Sequence, residues 1–374
     1  MIKWTKLEDC CEILDYKRIP VAASQRRKGP YPYYGANGVQ DYVDDYIFND
    51  DLVLVAEDGG NFGSKNKPIA YRVSGKCWVN NHAHVLKPKL GIDIDYLCYS
   101  LAYYNVDNLI NGATRKKLTQ NAMRQLKIPV LPLNIQKRIV NKIQNVEKII
   151  NLRKKEINQL NYLIKARFVE MFGDPGIPQN KWKNQSLKEH ISVIGGYAFS
   201  SKKFSDSGIP VLRIGNINTG YFKSTNLVYW QESDTLQRYL VYPGELVMSL
   251  TGTVGKQDYG NVCILDDSYP RYYLNQRNAK IVINDAYNTI YLKETLEFPV
   301  VKQKLTGTSR GVRQANISNK DILNLTLSVP PLSLQNEFAN FVQQVDKSKF
   351  ENIVYLNKTL SSKILSQIGD VIRD

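Results

Sequence analysis

Hydrophobic residues recur along one stretch of this chain at alternating spacings of four and three, and the resulting stripe passes through Ile139, Ile143, Val146, Ile150, Arg153, Ile157, Leu160, Ile164, Arg167 and Met171. That period is a coiled-coil seam, and with no proline or glycine inside 133–172 it predicts one long helix over 134–172. At the rise of an α-helix the rod reaches about 60 Å. A lone helix with one apolar stripe is poorly stable in water, so the seam needs a partner. Residues 334–372 supply one: Phe338, Val342, Val345, Ile353, Leu356, Leu360, Ile364 and Ile368 follow a similar, less regular period without proline. Two long helices, one central and one distal, are therefore expected to pack on each other. Gly173-Asp-Pro-Gly176 ends the first, because glycine caps a helix and Pro175 cannot continue it.

The segments before each helix have a different pattern. Residues 39–48, 52–56, 70–73 and 78–86 read as strands, a turn with Gly59, Gly60 and Gly63 interrupts them, and 96–104 reads as a short helix. The second half repeats these events. Asp51-Leu-Val-Leu-Val returns as Glu245-Leu-Val-Met-Ser, and Trp78-Val-Asn-Asn as Tyr273-Leu-Asn-Gln. Tyr96-Leu-Cys-Tyr-Ser-Leu returns as Tyr291-Leu-Lys-Glu-Thr-Leu, Gly112-Ala-Thr-Arg115 as Gly307-Thr-Ser-Arg310, and the string 128–136 as 327–335. Matches in one order at a nearly constant offset of ~195 residues mark a duplication. The expected fold class is α+β: two similar mixed α/β globular domains, 1–131 and 175–330, separated by two long antiparallel coiled-coil helices, 132–174 and 331–374, in a pseudo-twofold tandem repeat.

Composition adds a partner class. The net charge is +15, and it resides in the globular segments and the central helix, since residues 331–374 are balanced. Positive charge over two globules points to a polyanion held at both, nucleic acid ahead of membrane. No apolar run approaches the roughly 20 residues needed to cross a bilayer, and the N-terminus has no secretory core, so a cytoplasmic protein without membrane contact is expected. The cysteines Cys10, Cys11, Cys77, Cys98 and Cys263 have neither metal-site nor disulfide spacing, which suits a reducing compartment.

Ile128-Pro-Val-Leu-Pro-Leu-Asn-Ile-Gln136, running into a long helix that closes with Arg167-Phe-Val-Glu-Met-Phe-Gly-Asp174, resembles the central conserved region of the specificity (S) subunits of type I restriction-modification systems. Val329-Pro-Pro-Leu-Ser-Leu-Gln335 resembles the distal copy, although the second helix lacks the closing Arg-Phe-x-Glu-Met-Phe string. The resemblance spans essentially the whole chain. It implies two target recognition domains, each reading one half of a split double-stranded DNA target, with the helices as spacer and docking site for two methyltransferase (modification) subunits. Restriction (translocase and nuclease) subunits would join that core. The chain itself would be non-catalytic and hold no cofactor or metal, S-adenosylmethionine belonging to the methyltransferase, which adds a methyl group to an adenine in each half-site.

Base edges are read by Arg or Lys at guanine and by Asn or Gln at adenine, with further contacts to phosphate. Candidate DNA-binding residues in the first globule are Arg26, Arg27, Lys28, Tyr33, Tyr34, Asn37, Lys65, Lys67, Arg115, Lys116 and Lys117. In the second they are Lys202, Lys203, Arg213, Asn216, Lys256, Arg271, Arg277, Arg310, Arg313 and Gln314. For any one of these a solvated loop is the bland alternative, and most of the 24 tyrosines are expected to pack cores. Enzymatic patterns fail on spacing. Gly252-Thr-Val-Gly-Lys256 lacks the gap and hydroxyl of a phosphate loop, His82 and His84 have only His190 as a further histidine, and no Asn-Pro-Pro-aromatic or Asp-Pro-Pro-aromatic string occurs. Rival readings are a methyltransferase or nuclease with an unrecognised site, and a coiled-coil scaffold whose basic globules bind protein or RNA.

Overall fold

The computed structural model describes residues 3–64, 67–112, 116–177, 181–254, 256, 258–307 and 314–360. Two compact units result, one holding the chain up to Glu156 with the segment from Asn352, the other Ile157–Glu351.

In the first unit, β1 (Lys3–Lys6) passes through the short α1 (Leu7–Cys10) into β2 (Cys11–Ile13), and β3 (Tyr31–Gly35) and β4 (Gly38–Val43) form a hairpin. Then come β5 (Phe48–Asn49), β6 (Leu52–Ala56), β7 (Ala70–Val73), β8 (Lys76–Val79), β9 (Ala83–Pro88), α2 (Ile94–Ala102), β10 (Ile110–Asn111), β11 (Lys117–Leu118), α3 (Gln120–Arg124), β12 (Lys127–Val130) and the long α4 (Leu133–Phe172). The sheets run β2-β9-β6-β7 and β4-β3-β8-β5, with small ladders β1-β12 and β10-β11. Central β6 is buried on both faces, as its unbroken Leu-Val-Leu-Val-Ala run requires. Val53 and Val55 pack with Leu97 and Leu101 of α2, while Leu52 and Leu54 pack with Cys77 and Val79 of the other sheet.

The second unit has β13 (Asn184–Ser186), β14 (Ile191–Gly195), β15 (Ile209–Leu212), α5 (Ile214–Ile217), β16 (Tyr229–Trp230), β17 (Leu240–Val241), β18 (Leu246–Ser249), β19 (Thr251–Thr253), β20 (Val262–Ile264), β21 (Tyr272–Leu274) and β22 (Asn278–Ile283). It closes with α6 (Thr289–Glu297), α7 (Pro299–Thr306), β23 (Gln314–Asn316), α8 (Asn319–Leu323), β24 (Thr326–Ser328) and α9 (Leu332–Leu360). Its sheets, β14-β22-β18-β20 and β16-β15-β21-β17, and its ladder β13-β24 match the first unit strand for strand.

The duplication is thus structural, but one pairing of letters is out of register. Leu246 and Met248 face the helix-side core, as Val53 and Val55 do, and Val247 faces the opposite core, as Leu54 does. Matching Leu52 to Leu246 therefore slips the strand by one residue, which would turn every side chain to the wrong face. Two predicted strands are also divided. The segment 39–48 breaks after Val43, and 78–86 breaks at Asn80, whose Oδ1 accepts the His82 amide at 2.8 Å and forces a turn.

In α4 every position of the predicted seam is buried or half-buried. Within the second unit Phe168 packs on Phe338 of α9 at 5.4 Å between ring centroids, and Arg167 pairs with Glu337 at 3.0 Å. Within the first, seam residue Arg153 donates to Oδ1 of buried Asn352 at 2.8 Å, so the helices run antiparallel with a polar layer in the seam. Each long helix is tied to its own globule by a buried glutamine. Gln136 accepts from Asp93 N and donates to the Gly91 and Leu131 carbonyls, and Gln335 accepts from Asn288 N and donates to those of Ala286 and Pro330. The tail of the predicted second helix, including Ile364 and Ile368, lies outside the described residues.

Candidate nucleic-acid interface

At one edge of each unit the turn between β8 and β9, or between β21 and β22, is held in the same frame. Asn80 N donates to the Tyr34 carbonyl at 3.0 Å as Asn275 N does to that of Leu212 at 3.3 Å. The His82 amide donates to Asn80 Oδ1 at 2.8 Å as the Arg277 amide does to Asn275 Oδ1 at 3.3 Å. Glu57 N reaches the His82 carbonyl and Leu250 N that of Arg277, both at 2.8 Å. Asn81 and Gln276, the middle residues, are exposed. A Cβ on Gly196 would collide with the Asn275 carbonyl, so a glycine lets that strand close on the second turn.

In the first unit the turn has two neighbours. Asn37, in the β3–β4 hairpin loop, donates from Nδ2 to the Gly59 carbonyl at 2.9 Å, and His82 Nδ1 lies 2.7 Å from Asp58 beside Gly59. Lys117 pairs across a backbone bridge with Asp58, and its Nζ lies 2.9 Å from Glu57. Asn37 and Lys117 of the predicted residues therefore converge here. Arg26 is committed internally: its guanidinium lies 4.2 Å over the Tyr33 ring and bonds the Val21 carbonyl and Asp41. Tyr33 is 1% exposed, its hydroxyl accepting from Val21 N, and so it packs the interior, out of reach of a ligand. Tyr34 is half-buried against Tyr71. Arg27, Lys28, Lys67 and Lys116 are exposed, the first two without a side-chain partner among the described residues, while Lys65 and Arg115 lie outside the described residues.

In the second unit a cleft of about 420 Å³ opens beside the turn, lined by Phe199, Phe204, Arg213, Asn216, Gln276 and Arg277 among others. Asn216 is buried and fully engaged, accepting from Arg213 N and donating to the Lys223 and Thr225 carbonyls, so it shapes the wall and has no donor left for a base. Arg213 donates to the Asn226 carbonyl. Arg271 engages Glu232 with both arms of its fork, at 2.6 and 2.7 Å. Lys202, Lys203 and Lys256 are exposed, and Arg277 is exposed with its guanidinium unpaired among the described residues. Gln314 opens β23 opposite Thr253, and Arg310 and Arg313 lie outside the described residues. Sequence reasoning missed Asn80, Asn81, Asn275 and Gln276 as a unit, although the repeat of Trp78-Val-Asn-Asn as Tyr273-Leu-Asn-Gln carried the signal.

Residues 1–162 and 179–361 match the family described as Type I restriction modification DNA specificity domain. The chain belongs to that family. A putative type I restriction enzyme specificity subunit of Haemophilus influenzae is 27% identical over 367 residues, covering 92% of this chain and 88% of that protein. The specificity subunit of the type I restriction enzyme MjaVIII of Methanocaldococcus jannaschii is 23% identical over 374 residues, covering 91% and 85%. In fold, the chain is similar to the crystal structure of the type I restriction-modification S subunit from M. genitalium, with a TM-score of 0.52 at 15% identity over 99% of this chain and 95% of that one. The protein is accordingly a non-catalytic DNA-specificity subunit with two recognition domains, and the resemblance to the type I specificity subunits is borne out. No helix among the described residues is long and apolar enough to cross a membrane.

Among the described residues of the specificity subunit there is one cluster of metal-ligand type, Asp15, Glu57 and His84. Its hydrogen bonds argue for another role. His84 Nδ1 lies 2.6 Å from Asp15 Oδ2 and Nε2 lies 2.8 Å from the Leu118 carbonyl, so both ring nitrogens are engaged within the fold. Arg18 bridges the carboxylates, 2.6 Å from Glu57 and 3.4 Å from Asp15. Burial pushes both carboxyls up, but the donors around them outweigh it: His84, Val85 N and Gln120 hold Asp15, and Arg18 and Lys117 hold Glu57, below the ordinary carboxylate range. With both nitrogens engaged, the ring presents neither to a metal. The cluster instead braces the Gly59 turn and β11, which carries Lys117, against β9, where His84 lies, His82 being in the turn before that strand.

Proposed function

We propose that this subunit reads a bipartite duplex target, one half-site at the turn edge of each unit, while α4 and α9 set the gap and dock two methyltransferase subunits. Restriction (translocase and nuclease) subunits join that core in the cytoplasm, and S-adenosylmethionine is bound by the methyltransferase. The observation that carries this reading is the repeated turn: one backbone frame, present twice, bearing different polar side chains. A duplicated reader with two different contents suits a target of two different halves. Exposed Arg27, Lys28, Lys116, Lys202 and Lys203 supply phosphate contacts, and each that meets a phosphate adds about 0.9 to the slope of log affinity against log salt.

The test is to co-express the chain with its neighbouring methyltransferase and map methylated adenines across the genome by single-molecule sequencing. A motif of two parts with a fixed gap, lost when this chain is deleted, is expected. A continuous motif, or methylation indifferent to the deletion, sinks the reading. Inserting one heptad after Ile150 is expected to lengthen the gap with both halves unchanged, since seven residues nearly preserve the phase of the helix.

A further inference from the structure

The turn at the edge of each unit has features that the remaining candidate residues lack together. Its backbone is fixed by the same three hydrogen bonds in both units, through the Asn80 or Asn275 amide, that residue's Oδ1, and the carbonyl two residues on. The paired strands on either side agree, Ala56 standing opposite Ala83 as Ser249 stands opposite Asn278. What differs is the pair of side chains carried by this frame: Asn81 and His82 in the first unit, Gln276 and Arg277 in the second. A reader of two unlike half-sites needs a constant geometry and variable donors and acceptors.

The chemistry of the pairs fits base edges. A guanidinium matches the O6 and N7 acceptors of guanine, and a carboxamide matches N6 and N7 of adenine. Arg277 and Gln276 are exposed, line the cleft with Phe199 and Phe204, and have no side-chain partner among the described residues. Arg213, Asn216 and Arg271 are already engaged by their own domain. In the first unit Asn81 is exposed, and the His82 ring is steadied by Asp58 next to the Gly59 turn.

We infer that residues 81–82 and 276–277 are the interchangeable base-reading pairs of the two units, presented by buried Asn80 and half-buried Asn275. This rests on the bipartite reading above and names the side chains that perform it. Arg277 contacts a guanine in the half-site of the second unit, and Gln276 and Asn81 discriminate by their amides.

The experiment uses the full chain in complex with its methyltransferase. Gln276→Asn with Arg277→His gives the second unit the pair of the first, and Asn81→Gln with His82→Arg makes the reverse exchange. Methylation maps are expected to show altered bases in one half-site per exchange, with the gap and the other half unchanged. Affinity of the purified complex for the original duplex falls roughly ten- to hundredfold. Arg277→Lys guards against misfolding, since it keeps the charge and removes the fork. It is expected to leave the salt slope in place while selectivity at one base relaxes. Unchanged motifs in both exchanges, or full selectivity in Arg277→Lys, overturn the inference while the bipartite reading stands. A wild-type complex that yields no two-part motif overturns both.

Discussion

The two recognition domains hold one edge in opposite ways. In the first, Asp15 meets His84 and Glu57 meets Arg18 and Lys117, a polar set built on two buried carboxylates. In the second, Gly195 stands opposite Ala279, and Leu250 follows its strand where Glu57 follows the first, so the positions of the charge cluster are apolar. Away from this edge, where α6 meets the long helices, the second unit has a core in which Phe168 touches Phe172, Tyr291, Phe298 and Phe338. The turn is kept while its support is replaced, which shows that the frame of the turn and the means of bracing it are separable. Charge bracing makes the first edge dependent on protonation, and apolar support makes the second dependent on packing.

The contrast breaks most visibly at the two anchors. Phe168→Ala leaves a cavity among four aromatic rings and is expected to cost about 3–5 kcal/mol in denaturant unfolding, with hydrogen exchange rising in the second unit. His84→Ala removes one donor from Asp15, which keeps Arg18, Val85 N and Gln120, and one from the Leu118 carbonyl, and costs about 3 kcal/mol, with the rise in the first unit. Rises of equal size in both units for either variant would show that the supports are not separate.

Acid sharpens the comparison by sign. Asp15 and Glu57 lie below their ordinary values, so their stabilisation is present above the unfolded carboxylate pKa of about 4 and is lost as pH falls through the lower folded values. Glu297 of the second unit goes the other way: burial raises it, against the pull of Lys293, so its folded form takes a proton first and acidification relieves a cost. Hydrogen exchange followed from pH 7 to 3 is expected to show the first edge losing protection while the surroundings of Glu297 hold theirs.

Smaller effects test what the domains share. Gln136→Ala and Gln335→Ala each orphan one amide and two carbonyls, and each is expected to cost about 1–3 kcal/mol. The two values should agree, because the bonds are the same; a large difference would mean that the equivalence is only topological. Least of all, Arg167→Ala removes an exposed pair with Glu337 worth roughly 0–1 kcal/mol.

The long helix was legible because a seam is a local pattern: each residue announces its face by its distance to the next, and the burial of Ile143, Ile164 and Met171 follows. The duplication was legible in the strings flanking the helices and at Trp78 and Tyr273. It failed by one residue at Leu52, where two runs of similar apolar letters align equally well at either register and only the faces distinguish them. The charge cluster was not legible, since Asp15, Glu57, His84 and Lys117 are remote in sequence and meet only once β2, β6, β9 and β11 are assembled. Among the site candidates, exposure could not be read from residue type: Tyr33 and Asn216 stand beside glycine turns like true surface residues, yet hydrogen bonds from the loops they anchor draw them inside.

The smallest ladders have a consequence for heredity. β1 pairs with β12 from Lys3 opposite Val130 to Lys6 opposite Lys127, and β13 pairs with β24 from Asn184 opposite Ser328 to Ser186 opposite Thr326. The chain therefore enters and leaves each globule through adjacent strands, like a plug with both pins on one side. A gene crossover that falls within the two strands of such a ladder replaces a whole reader while retaining the helix that follows it. The buried glutamine at the head of that helix demands of the newcomer only a backbone amide and a carbonyl at the start of α2 or α6. New specificities can then be acquired by exchange of whole segments, a faster route than selection of one base contact at a time.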